Sequence, residues 1–517
     1  MTIPVLNSAQ ASAWDESARE DSHIPGRVLM ESAGRAAALV IASTFRPEIA
    51  DGVIIAAGHG NNGGDGWVVA RALNAVGVHV SVAEILQERS PDCEANRALA
   101  MAEGIDLLTD EVGWSRVGVV VDALLGTGAS GALRGDVGEL AERVAAHSGP
   151  IAAIDGPTGL DLSTGEGHGP VRAHLTVTFG GPRRGHLLAR EWCGRIVVVD
   201  IGFPDPPPAL PTLFTDREAA STLPPFKIAM HKGDRGRVLI VGGDEGMAGA
   251  ALHAASAAFA AGAGLVKIAA AAKTADAAQA RLPDALSMVT ALGPACEDEL
   301  RESILWADAV VLGPGLGRGE ERDAFVNAVL HACECPVVID ADAILPGRSV
   351  EGGGRRVFTP HLGEFRAAFP ELAEEMTRDR FAVAEAAAEM FNADPTVLPS
   401  YRPTVLLKGV PTLIAQQGHP LRVVATGNPS LATGGSGDVL AGFIGAYLAR
   451  GLGDRDAAAL GAYTLGRGAE LAATHHTARA TRPADVLAAL PDLWRRLARG
   501  VSIDPPVLCE IPVPEMI

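Results

Sequence analysis

Short runs of β-branched and other apolar residues recur along the chain between alanine-rich stretches, and most are apolar at every position instead of every second one. The first half carries VIIAAG at 53–58, VHVSVAEI at 78–85, VGVVVDALLG at 117–126, IAAIDGP at 151–157, AHLTVTFG at 173–180 and RIVVVDIGF at 195–203. A strand that is apolar throughout is buried on both faces, which is the situation of parallel strands covered by helices on either side. Alternation of such strands with helix-forming segments predicts an α/β architecture with parallel sheets. The same pattern restarts with RVLIVGG at 237–243 and continues through LVKIAA at 265–270, DAVVLGPGLG at 308–317, PVVIDADAI at 336–344, TVLLKG at 404–409 and LRVVAT at 421–426.

Between the two series lies PDPPPALPTLFTDREAASTLPP, residues 204–225. Proline donates no ladder hydrogen bond and stiffens the chain, so this stretch reads as a linker. The length of 517 residues exceeds one ordinary core. The expected organisation is a first α/β domain over 1–203, the linker 204–225, a second α/β domain over 226–500 with a mainly helical end, and a tail over 501–517. No shared repeat period relates the halves. AGAALHAASAAFAAGAGLVKIAAAA, residues 248–272, contains His253 and Lys267 and is interrupted by Gly262 and Gly264, so it reads as a buried helix running into a strand and not as a membrane span.

Charge and cysteine usage exclude several classes. A formal net charge of −19 argues against nucleic acid or an anionic membrane surface as partner. Any phosphate ligand must then be held locally, by backbone amides and a few placed cations. The six cysteines, Cys93, Cys193, Cys296, Cys333, Cys335 and Cys509, form neither a zinc framework nor a disulfide scaffold. The N-terminus lacks a cationic start followed by an apolar run, so a cytoplasmic location is expected.

In the first half, GHGNNGGDGW at 58–67 follows a strand and opens a helix expected to run to about Gly77. Open α/β sheets bind ligands at such strand ends. Asn61, Asn62 and Asp65 supply hard oxygens, suited to a hydroxyl-rich ligand or to an alkali or alkaline-earth cation. The alternative is a tight turn using Asn and Gly for positive φ. Two more strand ends carry acids, Asp122 in VDALLGTG and Asp155 in IDGPTGLD, with Thr158 offering an oxygen. Asp155 is the candidate general acid or base, burial being expected to raise its pKa, with a turn cap as the alternative.

GNNGGDG, VDALLGTG and DGPTG in this order, with MESAG at 30–34 and a closing DIGFP, resemble the N-terminal domain of the NAD(P)HX epimerases, the YjeF-type Rossmann-like family. The resemblance implies that Asn61, Asn62, Gly63, Gly64 and Asp65, together with Gly126, Thr127, Gly128, Ala129, Ser130, Gly131 and Ala132, bind a hydrated nicotinamide nucleotide. It further implies that Asn62, Asp122 and Thr158 hold K+ and that Asp155 both binds the substrate and is catalytic. Thr158 stands where the family usually has serine, MESAG replaces MENAG, and Arg183 lies near a customary lysine.

In the second half, glycine turns close successive strands: HKGDRGRVLIVGGDEGMAGA at 231–250, GPGLG at 313–317, TPHLGEF at 359–365, KGVPT at 408–412 and TGGSGDVLAG at 433–442. Jointly these favour a nucleotide cleft, since glycine lets a flat or anionic ligand approach backbone. Asp438 stands out in the last turn, because a carboxylate about 4 Å from a phosphate charge costs roughly 4 kcal/mol at an effective dielectric near 20. These motifs resemble the ribokinase-like α/β/α dehydratases that act on NAD(P)HX, over roughly residues 220–495.

The resemblance implies that Ala250, Gly317, His361 and Asp438 meet NAD(P)HX. Lys408, Gly409, Val410, Pro411 and Thr412, with Gly434, Gly435, Ser436 and Gly437, would meet ADP or ATP carrying Mg2+. Asp438 would take a proton from the hydroxyl that is phosphorylated, which accounts for an acid beside a phosphate turn. KGVPT departs from KGAGT, so Pro411 removes one amide donor while Lys408 stays available for phosphate.

The expected function is repair of hydrated NADH and NADPH, by epimerisation of the R and S hydrates and ADP- or ATP-dependent dehydration of the S form. The alternative is a ribokinase-type small-molecule kinase with a nucleotide-binding N-terminal domain; a scaffold without catalysis is disfavoured by the four retained residues Asn62, Asp122, Asp155 and Asp438. Arg71, Arg183 and Arg184 are the candidates to meet a 2′-phosphate. Oligomeric state, a homo-oligomer included, is left open.

Overall fold

The structure, a computed structural model, describes residues 2–108, 114, 117–345, 353–391, 402–500 and 505–514. The chain divides into two compact units, Met1–Thr212 with Ser502–Pro514, and Leu213–Val501 with Glu515–Ile517. Both are α/β, as the strand pattern predicts.

The sheet of the first unit runs Val507–Ile511, Arg195–Val199, Leu175–Phe179, Ile151–Ile154, Val119–Ala123, Val53–Ala57, Val80–Glu84, Asp106–Leu107. All pairings are parallel except that of Val507–Ile511 with Arg195–Val199. Val53–Ala57, Val119–Ala123 and Leu175–Phe179 are buried at every position, the physical counterpart of their continuous apolar sequence. Strand order reverses between Val53–Ala57 and Val119–Ala123, so a crevice opens at their carboxyl ends. Residues 505–514 of the stretch read as a tail contribute an antiparallel edge strand, with Arg195 reaching Glu510 at 2.6 Å.

The sheet of the second unit runs Leu286–Val289, Leu265–Ala270, Arg237–Val241, Ala309–Leu312, Val337–Ile339, Arg356–Phe358, Thr404–Leu407, Thr412–Gln416, Arg422–Val424, Thr212–Leu213. It is parallel from Leu286–Val289 to Thr404–Leu407, and the next two pairings are antiparallel. Its order reverses between Arg237–Val241 and Ala309–Leu312, where a Cβ on Gly242 would lie 2.3 Å from the Pro314 carbonyl oxygen. The stretch read as a linker is ordered at its second half, as the strand Thr212–Leu213 and the helix Asp216–Thr222, capped by Thr215. Asp216 there pairs with the buried Arg467 at 2.7 Å, a tertiary partner that its local sequence does not announce.

The alanine-rich segment is the helix Ala248–Ala260 followed by the strand Leu265–Ala270. Its small side chains let the helix Ser436–Ala449 come close: a Cβ on Gly442 would sit 2.1 Å from the Ala254 carbonyl oxygen. That approach sets the phosphate-type turn 433–437 at the start of a fully packed helix whose Val439–Leu448 are buried. No helix among the described residues is long and apolar enough to cross a membrane.

Candidate functional site

In the first unit the helix after the Asn-Gly motif begins at Asn61 itself and runs to Ala75. The glycines serve close approach, not positive φ: a Cβ on Gly63 would lie 1.9 Å from the Gly58 carbonyl oxygen, and one on Gly64 would meet the Met30 sulfur at 2.6 Å. Gly63 and Gly64 therefore seat the helix start. Asn61, Asn62 and Asp65 instead line a cavity of about 490 Å³ together with Gly126, Thr127 and Asp155. Helix packing onto the strand end is what aims these three side chains at the crevice.

Asp122, fully buried, closes the strand Val119–Ala123. Its Oδ1 accepts from the Thr158 hydroxyl at 2.7 Å and from the Leu124 amide at 3.2 Å, and its Oδ2 accepts from the Thr158 amide at 2.7 Å. Burial pushes this carboxyl up to about 6 against those hydrogen bonds. Thr158 Oγ1 also accepts from the Leu125 amide at 3.1 Å. Asn62 is buried, and neither its Oδ1 nor its Nδ2 has a hydrogen-bond partner. A buried amide without partners is costly, so its oxygen calls for a ligand. Oxygens of an amide, a hydroxyl and a carboxylate, each with acceptor capacity left, fit a hard cation such as K+.

Asp155 follows the strand Ile151–Ile154 with φ of +63°, a strained backbone for a residue bearing a Cβ. Its amide donates to the Val177 carbonyl at 2.8 Å. Oδ2 accepts from the Thr127 amide at 2.8 Å and from the Thr127 hydroxyl. Oδ1 accepts from the Thr178 hydroxyl at 3.2 Å and from Arg183 Nη2 at 3.3 Å. Burial does push its pKa up, as the sequence suggests, but the Arg183 guanidinium and the Thr127 hydrogen bonds outweigh it and hold the carboxyl below its ordinary value. The expected rise thus fails, because sequence alone does not show the buried cation beside it.

The opposite holds for Asp65. Burial, then the charges of Asp155 and Asp15, push it well above the usual carboxylate range. The cavity accordingly pairs an acid of lowered proton affinity with one of raised proton affinity. His186, fully buried, is pushed down to about 4 by burial, and its Nδ1 accepts from the Arg183 amide at 3.0 Å.

The loop 126–132 divides between two recesses. Gly126, Thr127, Gly128 and Ala129 border the Asp155 cavity, whereas Ser130, Gly131 and Ala132 line a neighbouring one of about 430 Å³ with Asp161 and His168. Arg183 is spent on Asp155, Thr127 and two backbone carbonyls, and Arg71 pairs with Glu31 at 3.0 Å and Glu103 at 2.9 Å, so neither is open to a 2′-phosphate. Sequence reasoning missed Thr178, His186, Asp15 and the Trp14–Phe203 stack, centroids 4.6 Å apart, which walls the same cavity. Apart from Phe203, which stands in DIGFP, their local sequence carries no motif; a strand-end rule reaches only Asp122 and Asp155.

In the second unit the turn Thr433–Gly437 enters the helix Ser436–Ala449 through Gly435, whose φ of +99° suits glycine. The first helical hydrogen bond runs from the Val439 amide to the Gly435 carbonyl, so the amides of Gly437 and Asp438 precede it and point out of the helix start. Asp438 is pushed up to about 7, first by burial, then by Asp340, with Lys408 pulling the other way and Asp342 and Glu364 adding to the rise. A carboxyl at that value exchanges its proton near neutral pH.

Lys408, held charged by Asp340 and Glu364 despite its burial, lies with Nζ 2.8 Å from Asp340 Oδ1 and 3.8 Å from Glu364 Oε2. It is available to phosphate only as part of that cluster. Arg380 donates to the carbonyls of Val410 at 2.9 Å and Lys408 at 3.2 Å and so shapes the turn that holds Gly409, Val410 and Pro411; Thr412 donates its hydroxyl to the Gly409 carbonyl at 3.1 Å.

His361 caps the helix Leu362–Ala368: its Nδ1 accepts from the Gly363 amide at 2.9 Å and the Glu364 amide at 3.2 Å, while Nε2 faces Glu364 Oε1 at 3.2 Å. That gives the histidine a structural partner on one edge and leaves the residue exposed. Gly317, with φ of +81°, donates its amide to Asp342 Oδ2 at 3.0 Å, and the Ala250 Cβ would lie 3.0 Å from one on Gly315. Neither Asp340 nor Arg380 was singled out from sequence. Asp340 could have been, by the rule that found Asp122, since it ends the strand Val337–Ile339.

Comparison with known proteins follows the same division. The sequence pattern of a family described as NAD(P)H-hydrate dehydratase matches residues 238–492, and that of the YjeF-related protein N-terminus matches 26–185. A bifunctional NAD(P)H-hydrate repair enzyme of Moorella thermoacetica is 34% identical over 530 residues, covering 96% of this chain and 98% of its own length. Its counterpart in Escherichia coli is 33% identical over 487 residues, with 91% of each chain covered. Among solved structures, the ADP/ATP-dependent NAD(P)H-hydrate dehydratase of Bacillus subtilis, co-crystallised with ATP/Mg2+, is 28% identical, covering 55% of this chain and 98% of its own, at a TM-score of 0.49. With alignment along nearly its whole length, and one motif set in each unit, the chain belongs to the family of bifunctional NAD(P)H-hydrate repair enzymes.

Proposed function

We propose that this chain restores NADH and NADPH from their hydrates. Its first unit interconverts the R and S epimers, and its second dehydrates the S epimer at the expense of ADP or ATP. The observation that carries the reading is Asp438, a carboxyl pushed up to about 7 at a helix start, beside open amides and the Lys408 ammonium. A base for a hydroxyl and a cradle for a phosphoryl group occupy one turn of backbone.

In the second unit Asp438 takes the proton of the C6 hydroxyl as that oxygen attacks the terminal phosphorus of the nucleotide. The bond from that phosphorus to the bridging oxygen breaks, releasing AMP from ADP or ADP from ATP. The C6–O bond then breaks with its electron pair leaving on phosphate, the ring nitrogen supplying electrons, and loss of a proton from C5 restores the C5–C6 double bond. The amides of Gly437 and Asp438, with Lys408, oppose the charge that develops on the transferred group. Ala250, Gly317 and His361 face the nicotinamide side, and residues 408–412 the adenine nucleotide. No group of three or more His, Cys, Asp or Glu among the described residues is disposed to hold a metal, so Mg2+ fits this site as a companion of the nucleotide phosphates.

In the first unit Asp155 accepts a proton from the C6 hydroxyl and Asp65, whose proton affinity is raised, donates one to the ring nitrogen released as the ring opens; reclosure on the other face gives the other epimer. Two carboxyls whose proton affinities are shifted in opposite directions suit these opposite tasks. K+ held by Asn62, Asp122 and Thr158 would supply a fixed positive charge for the nucleotide. A cytoplasmic setting fits six cysteines that form no disulfide.

The test is recovery of reduced-nicotinamide absorbance when the intact chain is given S-NADHX with ADP or ATP, and then the R epimer. Recovery from S requires nucleotide, and recovery from R requires both units. Absence of recovery with either nucleotide would return the chain to the small-molecule kinase reading.

A further inference from the structure

The ends of three adjacent parallel strands form a hydrogen-bonded chain next to the phosphate turn. Thr359, fully buried after Arg356–Phe358, donates its hydroxyl to Asp340 Oδ1 at 2.7 Å. The same oxygen, on a residue 1% exposed after Val337–Ile339, accepts from Lys408 Nζ at 2.8 Å. A Cβ on Gly437 would lie 3.3 Å from that Nζ and 3.8 Å from Asp340 Oδ2, so the pair sits against the first turn of the helix Ser436–Ala449.

A cation at a helix N-terminus is unfavourable, since the helix dipole is positive there. Lys408 is nevertheless fixed at that end, and the buried Asp340 carboxylate is what fixes it. Deprived of Asp340, the ammonium would lose its anchor and turn toward Glu364 or solvent.

We propose that Asp340, supported by Thr359, is a positioning residue for phosphoryl transfer: it holds the Lys408 ammonium where the transferred group meets the amides of the 434–437 turn. The inference rests on the dehydration reading and adds a residue to it. In this role Asp340 acts through Lys408. Its charge also bears on Asp438, which faces Asp340, Asp342, Glu364 and Lys408. His253, from the helix Ala248–Ala260, lies against Gly435 on the other side, and burial lowers its proton affinity.

The experiment compares the full-length protein with Asp340→Asn in S-NADHX dehydration, reading kcat, the KM for ADP and the pH profile, with R-to-S epimerisation on the same preparations as the folding control. Asparagine keeps the shape and the hydrogen bond to Thr359 but loses the charge. The expected result is a kcat lower by about 10- to 100-fold, a smaller change in KM, an acid limb moved to lower pH because Asp438 loses a repelling neighbour, and unchanged epimerisation.

Wild-type kcat, or a lowered kcat with an unmoved acid limb, would overturn the proposal. Wild-type protein that recovers no NADH would instead sink the dehydration reading itself. A second pair covers misfolding of Asp340→Asn. Thr359→Val, which removes one donor to Asp340, should lower kcat several-fold, with Thr359→Ser restoring it; equal rates for the two would count against the positioning role.

Discussion

Asp438→Asn should make the enzyme inactive in dehydration and at the same time more stable. In the folded chain burial and the negative charges around it carry Asp438 from an ordinary 3.8 to about 7. Each unit of such a rise is about 1.4 kcal/mol of cost for keeping the carboxylate ionised in the fold. The residue is partly exposed, so water screens the penalty, and about 1–2 kcal/mol is the reasonable expectation. The sign follows from the raised value: below about pH 4 both folded and unfolded states are protonated and nothing is lost, the penalty grows between about pH 4 and 7, and it is complete above.

Asparagine removes it without removing a hydrogen bond, since the Asp438 side chain makes none among the described residues. Thermal unfolding at about pH 8 should therefore show the variant melting roughly 2–6 °C higher, a gain that fades toward pH 4. Turnover of S-NADHX with saturating ADP should fall by about 10²–10⁴-fold. In the unmutated enzyme the rate should fall about tenfold per pH unit below an acid limb near pH 7, because only the ionised carboxylate can take the hydroxyl proton. A variant no more stable than the parent at pH 8, or an acid limb near pH 4, would refute the reasoning.

Three other outcomes are expected. Asp155→Asn should abolish epimerisation of the R hydrate while dehydration of the S hydrate continues; because the folded value of Asp155 is depressed, its stabilising contribution is present above the unfolded carboxylate value and lost as pH falls through the folded one, so the variant should also melt lower at neutral pH. Asn62→Leu should raise stability in K+-free buffer by about 1–3 kcal/mol, as a buried amide without partners is replaced by an apolar side chain, and should remove any response of epimerisation or melting to added K+, which titration against choline would read. Gly63→Ala should cost about 1–3 kcal/mol or more in the same melting assay, since its Cβ would stand 1.9 Å from a backbone oxygen that cannot move away without shifting the strand end.

The α/β class, the positions of the main parallel strands along the chain, the strand-end location of Asp122 and Asp155 and the helix-opening turn that carries Asp438 were legible because they depend on local pattern. Runs of apolar residues mark strands buried on both faces, and parallel strands bring their carboxyl ends to one edge whatever the loops between them do. Weak elements escaped. Leu286–Val289 and Thr412–Gln416 are short edge or antiparallel strands flanked by turn-like residues, and Val507–Ile511 lies in a stretch that only its pairing with Arg195–Val199 makes a strand.

What the sequence by itself determined was which residue types stand at the strand ends. What only the tertiary structure decided was their charge state and their neighbours. The Asn-Gly motif reads locally as a glycine turn opening a helix, but only close approach to Gly58 shows that its glycines are the seat of that helix and that Asn62 points inward without a partner among the described residues. Asp155 and Asp65 are both carboxyls near one edge, but Arg183 lies beside the first and two other carboxyls face the second, so their proton affinities part in opposite directions. Asp438 sits near Lys408 only because the fold sets the start of the helix Ser436–Ala449 against the end of the strand Thr404–Leu407. Local pattern follows from the chain's own stereochemistry; electrostatics depends on distance in space, which emerges only when the sheet has closed and water has left.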